Sequence, residues 1–171
     1  MKIKTKPYGE VEVDEKQKLH FPEGIIGFED INYYYLLDSK EGPFYWLQAE
    51  EDAGLAFLIV DPRIFMNNYK LTVRKEDLKA IEAEGKSSDP TDAETDDNLL
   101  DFAIVTVPED HAKMSVNLMG PIVINKKTRM AKQMISENDR YMVKHYILEE
   151  FGKKKEKSAE KEDASSYTKA Q

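Results

Sequence analysis

At 171 residues, with no cysteine and a net charge of −8, the chain has the length of one domain with a buried core and cannot form disulfides or thiolate metal sites. The acidic balance weighs against direct nucleic-acid binding, which sets cationic side chains against phosphates. The opening MKIKTKPYGEVEV contains no apolar leader, and no stretch reaches the length of a membrane span, so the expectation is a cytoplasmic protein that works away from membranes.

The charge is unevenly spread. Ten acids between Glu76 and Asp101 face only Lys79 and Lys86, whereas residues 152–171 carry six lysines and four acids. An acidic stretch of this kind serves solubility or meets a basic protein partner.

Residues 1–5 and 9–14 alternate about Pro7-Tyr8-Gly9 and predict a hairpin. Leu19-His20-Phe21 opens a short strand that Pro22 ends. The next nine residues, Phe21-Pro22-Glu23-Gly24-Ile25-Ile26-Gly27-Phe28-Glu29, hold two glycines and a proline, which exclude regular structure through most of the stretch. Its apolar side chains either pack across one end of the fold or present a binding surface. Tyr33-Tyr34-Tyr35-Leu36-Leu37-Asp38 and Phe44-Tyr45-Trp46-Leu47-Gln48-Ala49 are strands by propensity, separated by the turn Glu41-Gly42-Pro43. Residues 55–60 form a continuous apolar run, the mark of a central strand. Residues 63–69 are irregular but anchored by Phe65 and Tyr69, and Leu71-Thr72-Val73 reads as a short strand.

Residues 75–84 predict the one helix: Leu78 and Ile81 share a face, Glu76 and Asp77 lie in the first turn, and Gly85 follows the end. Residues 86–97 have the composition of a polar loop. Another central strand covers 102–107. Val116 to Met119 and Ile122 to Asn125 read as two apolar strands meeting at a Gly120-Pro121 corner, with Asn117 and Asn125 satisfying backbone groups at its two ends. Residues 127–135 fit either strand or helix, and their position after a turn favours a hairpin partner for 121–125. Residues 140–151 suit a helical face through Tyr141, His145 and Leu148, or an extended run. The whole pattern, with about ten short strands, one short helix and no βαβ rhythm, predicts a mainly all-β fold: an antiparallel barrel-like or sandwich domain over 1–151, followed by a charged, disordered tail over 152–171.

No catalytic constellation stands out. His20, His111 and His145 are far apart and lack metal-ligand spacing, and the acidic run 92–101 lacks the calcium-loop pattern. No cofactor or metal is expected. The aromatic strands would need interleaved cations to stack on nucleic acid, and between Ile31 and Gln48 only Lys40 is present. A protein interface or a fully covered sheet is the better reading. An alternative is a small acidic β-barrel enzyme or ligand-binding domain with a carboxylate-lined pocket.

Three separated motifs resemble those of the FliW family of flagellar assembly factors. Residues 21–29 resemble its Phe-Pro-x-Gly-x-x-Gly-Phe-Glu signature through Phe21, Pro22, Gly24 and Gly27. Phe44-Tyr45-Trp46-Leu47-Gln48 resembles its Phe-x-Trp-Leu-Gln strand around Trp46. Asn117-Leu118-Met119-Gly120-Pro121-Ile122-Val123-Ile124-Asn125 resembles its Asn-Leu-x-Ala/Gly-Pro-Ile-Val-Ile-Asn block. Asp61-Pro62 with Tyr69, and Gln133 with Tyr141, are weaker echoes.

The resemblance implies a β-barrel-like, non-enzymatic cytoplasmic binder with two partners. One is flagellin, held before export. The other is the translational repressor CsrA, bound when flagellin has left, which relieves repression of flagellin synthesis. Within that picture Phe28, Tyr34, Tyr45 and Ile122 are expected to line a groove for an apolar helix face of flagellin. Glu50, Glu51, Asp52, Glu76 and Asp77 are expected to meet the basic CsrA.

Overall fold

The computed structural model describes residues 1–83 and 98–147. The polar segment 86–97, the tail 152–171 and the end of the 140–151 stretch lie outside the described residues. The described residues form ten strands: β1 (Lys2–Thr5), β2 (Gly9–Glu12), β3 (Lys18–His20), β4 (Tyr33–Asp38), β5 (Phe44–Ala49), β6 (Ala56–Val60), β7 (Leu99–Thr106), β8 (Ser115–Asn125), β9 (Ala131–Gln133) and β10 (His145–Tyr146). β1 and β2 form a separate hairpin. The other eight make one antiparallel sheet in the order β10-β8-β7-β6-β5-β4-β3, with β9 also paired to β8. The sheet curls until β3 meets the start of β9: the His20 N–H donates to the Arg129 carbonyl at 2.9 Å, and His20 forms a parallel bridge with Met130. The result is a nearly closed barrel.

Each strand from β3 to β9 sends side chains to one shared core. Leu19, Tyr34, Leu47, Ile59, Phe102, Ile122 and Ala131 are all buried in it, and Phe21 and Ile25 of the 21–29 loop join them. The other sheet face carries Tyr35, Leu37, Trp46, Leu58, Val60 and Val105, and is covered by Ile3 and Val13 of the hairpin and by Phe65 and Tyr69. Both faces of the central strands are therefore buried, as continuous apolar runs such as residues 55–60 require.

The Gly120-Pro121 stretch differs from expectation. β8 is one strand of 11 residues rather than two strands joined at a corner. The register against β7 steps from the Phe102–Ile122 pair to the Ile104–Asn117 pair, so a bulge of extra residues sits in the middle of β8. The insertion inverts side-chain parity. Val116 and Leu118 point to the hairpin-covered face, while Ile122 and Ile124 point into the barrel core. Pro121 is tolerated because it lies at the bulge.

The helix α1 is Lys75–Ala80, shorter than 75–84. Glu82, at φ +57, ends it: the Ala83 N–H donates to Leu78 and the Glu82 N–H to Lys79, the paired closing bonds of a Schellman turn. Leu71-Thr72-Val73 is not a strand; its apolar side chains are buried with Leu78, Ile81, Val123 and Met134 in a third cluster. Residues 131–133 do pair with Ile122–Ile124. Of residues 140–147, only His145–Tyr146 is regular, as β10 against Val116 and Ser115.

Candidate functional site

The 21–29 loop is built around glycine. Gly24 has φ +67, and a Cβ there would lie 2.5 Å from the Glu29 Cα. No other residue fits that close approach without moving backbone. The loop then folds back on itself: the Phe28 N–H donates to the Ile25 carbonyl at 2.6 Å, and the Glu29 carboxylate accepts from the Gly27 N–H at 3.0 Å. Phe21 and Ile25 turn inward, whereas Ile26 is left 61% exposed and Phe28 40% exposed. Phe28 is steadied edge-to-face against Phe57, with ring centroids 5.4 Å apart.

The β8 bulge lies beside this loop. The Asn117 side-chain oxygen accepts from the Met119 and Gly120 N–H groups at 3.1 and 2.8 Å, closing the bulge locally. Gln133 on β9 spans bulge and loop. Its Nε2 donates to the Gly120 carbonyl at 3.0 Å, and its Oε1 accepts from the Ile26 N–H at 3.1 Å. Between the two runs an open groove of about 360 Å³. Ile25, Phe57, Ile104 and Met119 contribute apolar surface to it, Asn117 and Gln133 supply amides, and Ile26, Ile135 and Val143 are the exposed members. Met142, beside Val143 in the chain, is exposed as well.

Of the groove residues expected from sequence, Phe28 is exposed beside this surface. Tyr45 is half-buried and packs edge-to-face on Phe102 at 5.5 Å. Tyr34 and Ile122 are corrected: both are wholly buried in the barrel core and present nothing to a partner. Strand alternation left the face of Tyr34 open, and the bulge turns Ile122 inward. Trp46 is buried on the opposite sheet face from the barrel core. Gln48, two residues further along β5, is fully buried and ties the following turn by donating to the Asp52 and Leu55 carbonyls at 3.1 Å.

Sequence reasoning missed Ile26, Ile135, Val143 and the bridging role of Gln133. The available signal was the exposed second isoleucine of a two-glycine loop and the reappearance of Gln133 among the weaker family echoes.

Among the acids, Glu51 and Asp52 are exposed in the turn after β5, and Glu76 is exposed on α1. Glu50 is paired with Lys18 at 2.9 Å, and that bond to Glu50 is the main reason the Lys18 ammonium is held above its ordinary pKa. Asp77 is corrected: it is buried and bonded to Lys132 at 2.8 Å. Burial opposes the Lys132 charge, but its bonds to Asp77 and Glu23 outweigh that and hold its pKa up. Lys132 sits in a second recess of about 280 Å³ that Glu23, Glu29 and Asp77 also line. Those carboxylates are already engaged, Glu23 and Asp77 by Lys132 and Glu29 by Gly27, which disfavours a carboxylate-based catalytic pocket. Among the described residues no cluster of three metal-ligating side chains occurs.

Asn125 fastens the far end of β8. Its Nδ2 donates to the Ile81 carbonyl at 2.9 Å and its Oδ1 accepts from the Lys127 N–H at 3.0 Å. It therefore joins the β8–β9 turn to the end of α1.

Comparison with known proteins agrees with this arrangement. The model of the FliW protein family matches residues 2–147. A flagellar assembly factor FliW of Leptospira biflexa is 42% identical over 149 residues, covering 86% of this chain and 91% of that protein. One from Treponema denticola is 41% identical over 150 residues, covering 88% and 95%. The crystal structure of a flagellar assembly factor FliW superposes with a TM-score of 0.73 at 29% identity, over 86% of this chain and 96% of the other. With the family model matching nearly all the described residues, relatives about 40% identical over most of the chain and a FliW crystal structure of the same fold, the chain belongs to the FliW family of flagellar assembly factors.

Proposed function

We propose that the chain is a non-enzymatic cytoplasmic binder of flagellin, and that in its free state it binds the translational repressor CsrA and so relieves repression of flagellin synthesis. The observation that carries the flagellin half is the groove of about 360 Å³ at the β8 bulge, with exposed Ile26, Ile135 and Val143. An amphipathic helix lays apolar side chains at helical spacing into such a groove. The Asn117 and Gln133 amides at its wall offer polar contacts that fix orientation. Phe28, exposed next to Ile26, extends the same apolar surface.

For CsrA, the exposed acids Glu51, Asp52 and Glu76 supply charge of the right sign for a basic partner. Asp77 leaves this set because Lys132 neutralises it. Relatives named as flagellar assembly factors support a binding role over catalysis.

The test is calorimetric titration of flagellin and of CsrA into the wild-type chain, into Ile26→Glu with Ile135→Glu, and into Glu51→Lys with Glu76→Lys. All four substituted positions are exposed, so the fold is expected to survive, which circular dichroism checks. The first variant should lose flagellin, and the second should lose CsrA affinity together with its salt dependence. Unchanged flagellin binding by the folded groove variant removes the groove from this role. Unchanged CsrA binding does the same for the acids.

A further inference from the structure

On the side of the barrel seam, the β8–β9 turn faces the approach to β3, and a separate recess of about 250 Å³ opens there. Its floor is apolar: Leu19 and Ile124 of the barrel core, with the partly buried Leu36 and Leu100 packed against them. Its rim is cationic: Lys16, Lys126 and Arg129. None of these three makes an ion pair among the described residues.

That is an unusual place in a chain of net charge −8. The long-range field of the body repels an acidic partner, so a local group of three cations over an apolar floor selects one only at that point. Arg129 adds an independent pointer. Its backbone has φ +64, a left-handed conformation that glycine or asparagine adopts with less strain. The neighbouring bonds hold it there: the Arg129 N–H donates to Asn125 at 2.8 Å and its carbonyl accepts from His20 at 2.9 Å. A long cationic side chain kept at a strained turn position, beside a recess, is how strain is retained at binding sites.

We infer that this seam recess is a docking site for an acidic peptide segment that inserts one large apolar side chain between carboxylates. The recess is smaller than the roughly 300–1,000 Å³ typical of small-ligand pockets, and it suits a single anchoring side chain. The apolar anchor lies on Leu19, Leu36, Leu100 and Ile124, and the flanking carboxylates meet Lys16, Lys126 and Arg129. Residues 84–97 of the chain are rich in acids but contain no large apolar residue, so their composition does not match the floor. The site is distinct from the groove at Gly120 and stands independently of the flagellin and CsrA reading.

The experiment uses the full chain with isotope-labelled leucine and isoleucine methyl groups. The probe is a capped peptide with one phenylalanine between pairs of glutamate and aspartate. Three controls accompany it: the same peptide with alanine for phenylalanine, the same with amides for carboxylates, and octanoate. The expected result is saturable, salt-sensitive shifts of the Leu19, Leu36, Leu100 and Ile124 methyls with the acidic phenylalanine peptide alone. Arg129→Gly should weaken that binding by roughly tenfold while raising the melting temperature, because glycine relieves the strained turn. A merely structural arginine would give the second change without the first. The proposal is overturned by absence of saturable shifts at those methyls at millimolar peptide, by equal response to the alanine peptide, by octanoate binding as tightly, or by Arg129→Gly binding like wild type.

Discussion

Gln133 fixes the Gly120 bulge to the 21–29 loop: one end of its amide donates to the Gly120 carbonyl at 3.0 Å and the other accepts from the Ile26 N–H at 3.1 Å. A residue on β9 thus sets the separation of the two walls of the groove. Gln133→Leu keeps the size of the side chain but leaves both backbone groups without their partner. The expected cost is about 1–3 kcal/mol in urea unfolding. Hydrogen exchange at the Ile26 amide should accelerate well beyond that global loss. If exchange at Ile26 is unchanged, the loop is held by its own glycine turn and Gln133 is dispensable to it.

The two glycines of this region should respond differently to alanine. At Gly24 a Cβ meets backbone, the Glu29 Cα at 2.5 Å and the Phe28 carbonyl at 2.6 Å, and φ is +67. At Gly120 it meets side-chain ends, Gln133 Nε2 at 2.9 Å and Asn117 Nδ2 at 3.0 Å, which can swing aside. Gly120→Ala is expected to cost about 1–2 kcal/mol, through displaced amide bonds. Gly24→Ala should cost about 3 kcal/mol or more, because the backbone must move as well as adopt a strained φ. Chemical denaturation of both variants checks the order, and the reverse order would mean the 21–29 loop relaxes more readily than its contacts indicate.

How far the sequence discloses this molecule depends on whether a feature is local. Strands at 33–38 and 44–49 were legible because each packs three consecutive aromatic residues, which favour the pleated strand, between turn residues. The rigidity of residues 21–29 was legible from Gly24, Gly27 and Pro22. The face taken by Tyr34 was not, because both faces of β4 are covered and alternation alone cannot say which one closes into the barrel. Ile122 was misplaced for a related reason. The β8 bulge inverts parity between Leu118 and Ile122, and nothing in the local apolar pattern marks an inserted residue. The charge on Asp77 is cancelled by Lys132, 55 positions away. Ile26, Ile135 and Val143 meet only once the barrel has closed. The family resemblance located the motif blocks that build the groove, but not the residues exposed along it.

The Asp77–Lys132 pair anchors α1 to β9, at 2.8 Å and with both side chains largely shielded. Asp77→Ala leaves the Lys132 ammonium half-buried with only Glu23, and is expected to cost about 1–3 kcal/mol, less than a fully buried pair because water still reaches the site. A double-mutant cycle with Lys132→Met should recover a coupling of about 1 kcal/mol. The Lys132 pKa is raised in the folded state, so its contribution is complete below the ordinary lysine pKa and is lost as pH rises through the folded value. The difference between wild type and Lys132→Met should therefore hold steady across neutral pH and shrink only in strong alkali. A difference that vanishes near neutrality would show that the ammonium is not the group responsible.

Tyr34 provides the other alkaline test. Its ring is fully buried in the barrel core, its hydroxyl has no hydrogen-bond partner among the described residues, and burial pushes its pKa up to about 12. At neutral pH the hydroxyl is a buried polar group without compensation, so Tyr34→Phe is expected to be neutral or to stabilise by up to about 1 kcal/mol. In alkali the unfolded chain ionises this residue near pH 10, while the folded chain keeps it protonated until about pH 12. Stability tied to Tyr34 is thus intact below about pH 10 and is lost through the window up to about 12, at roughly 1.4 kcal/mol for each pH step. Tyr69 is also shifted upward by burial, so wild type should lose stability more steeply than one residue alone dictates. Tyr34→Phe should remove one proton's share of that slope and widen its advantage over wild type as pH climbs. Urea midpoints at pH 7 and across the alkaline window measure both effects. A clear destabilisation of Tyr34→Phe at pH 7 would show that an ordered water satisfies the hydroxyl, and would place a polar site inside the barrel that its apolar lining does not disclose.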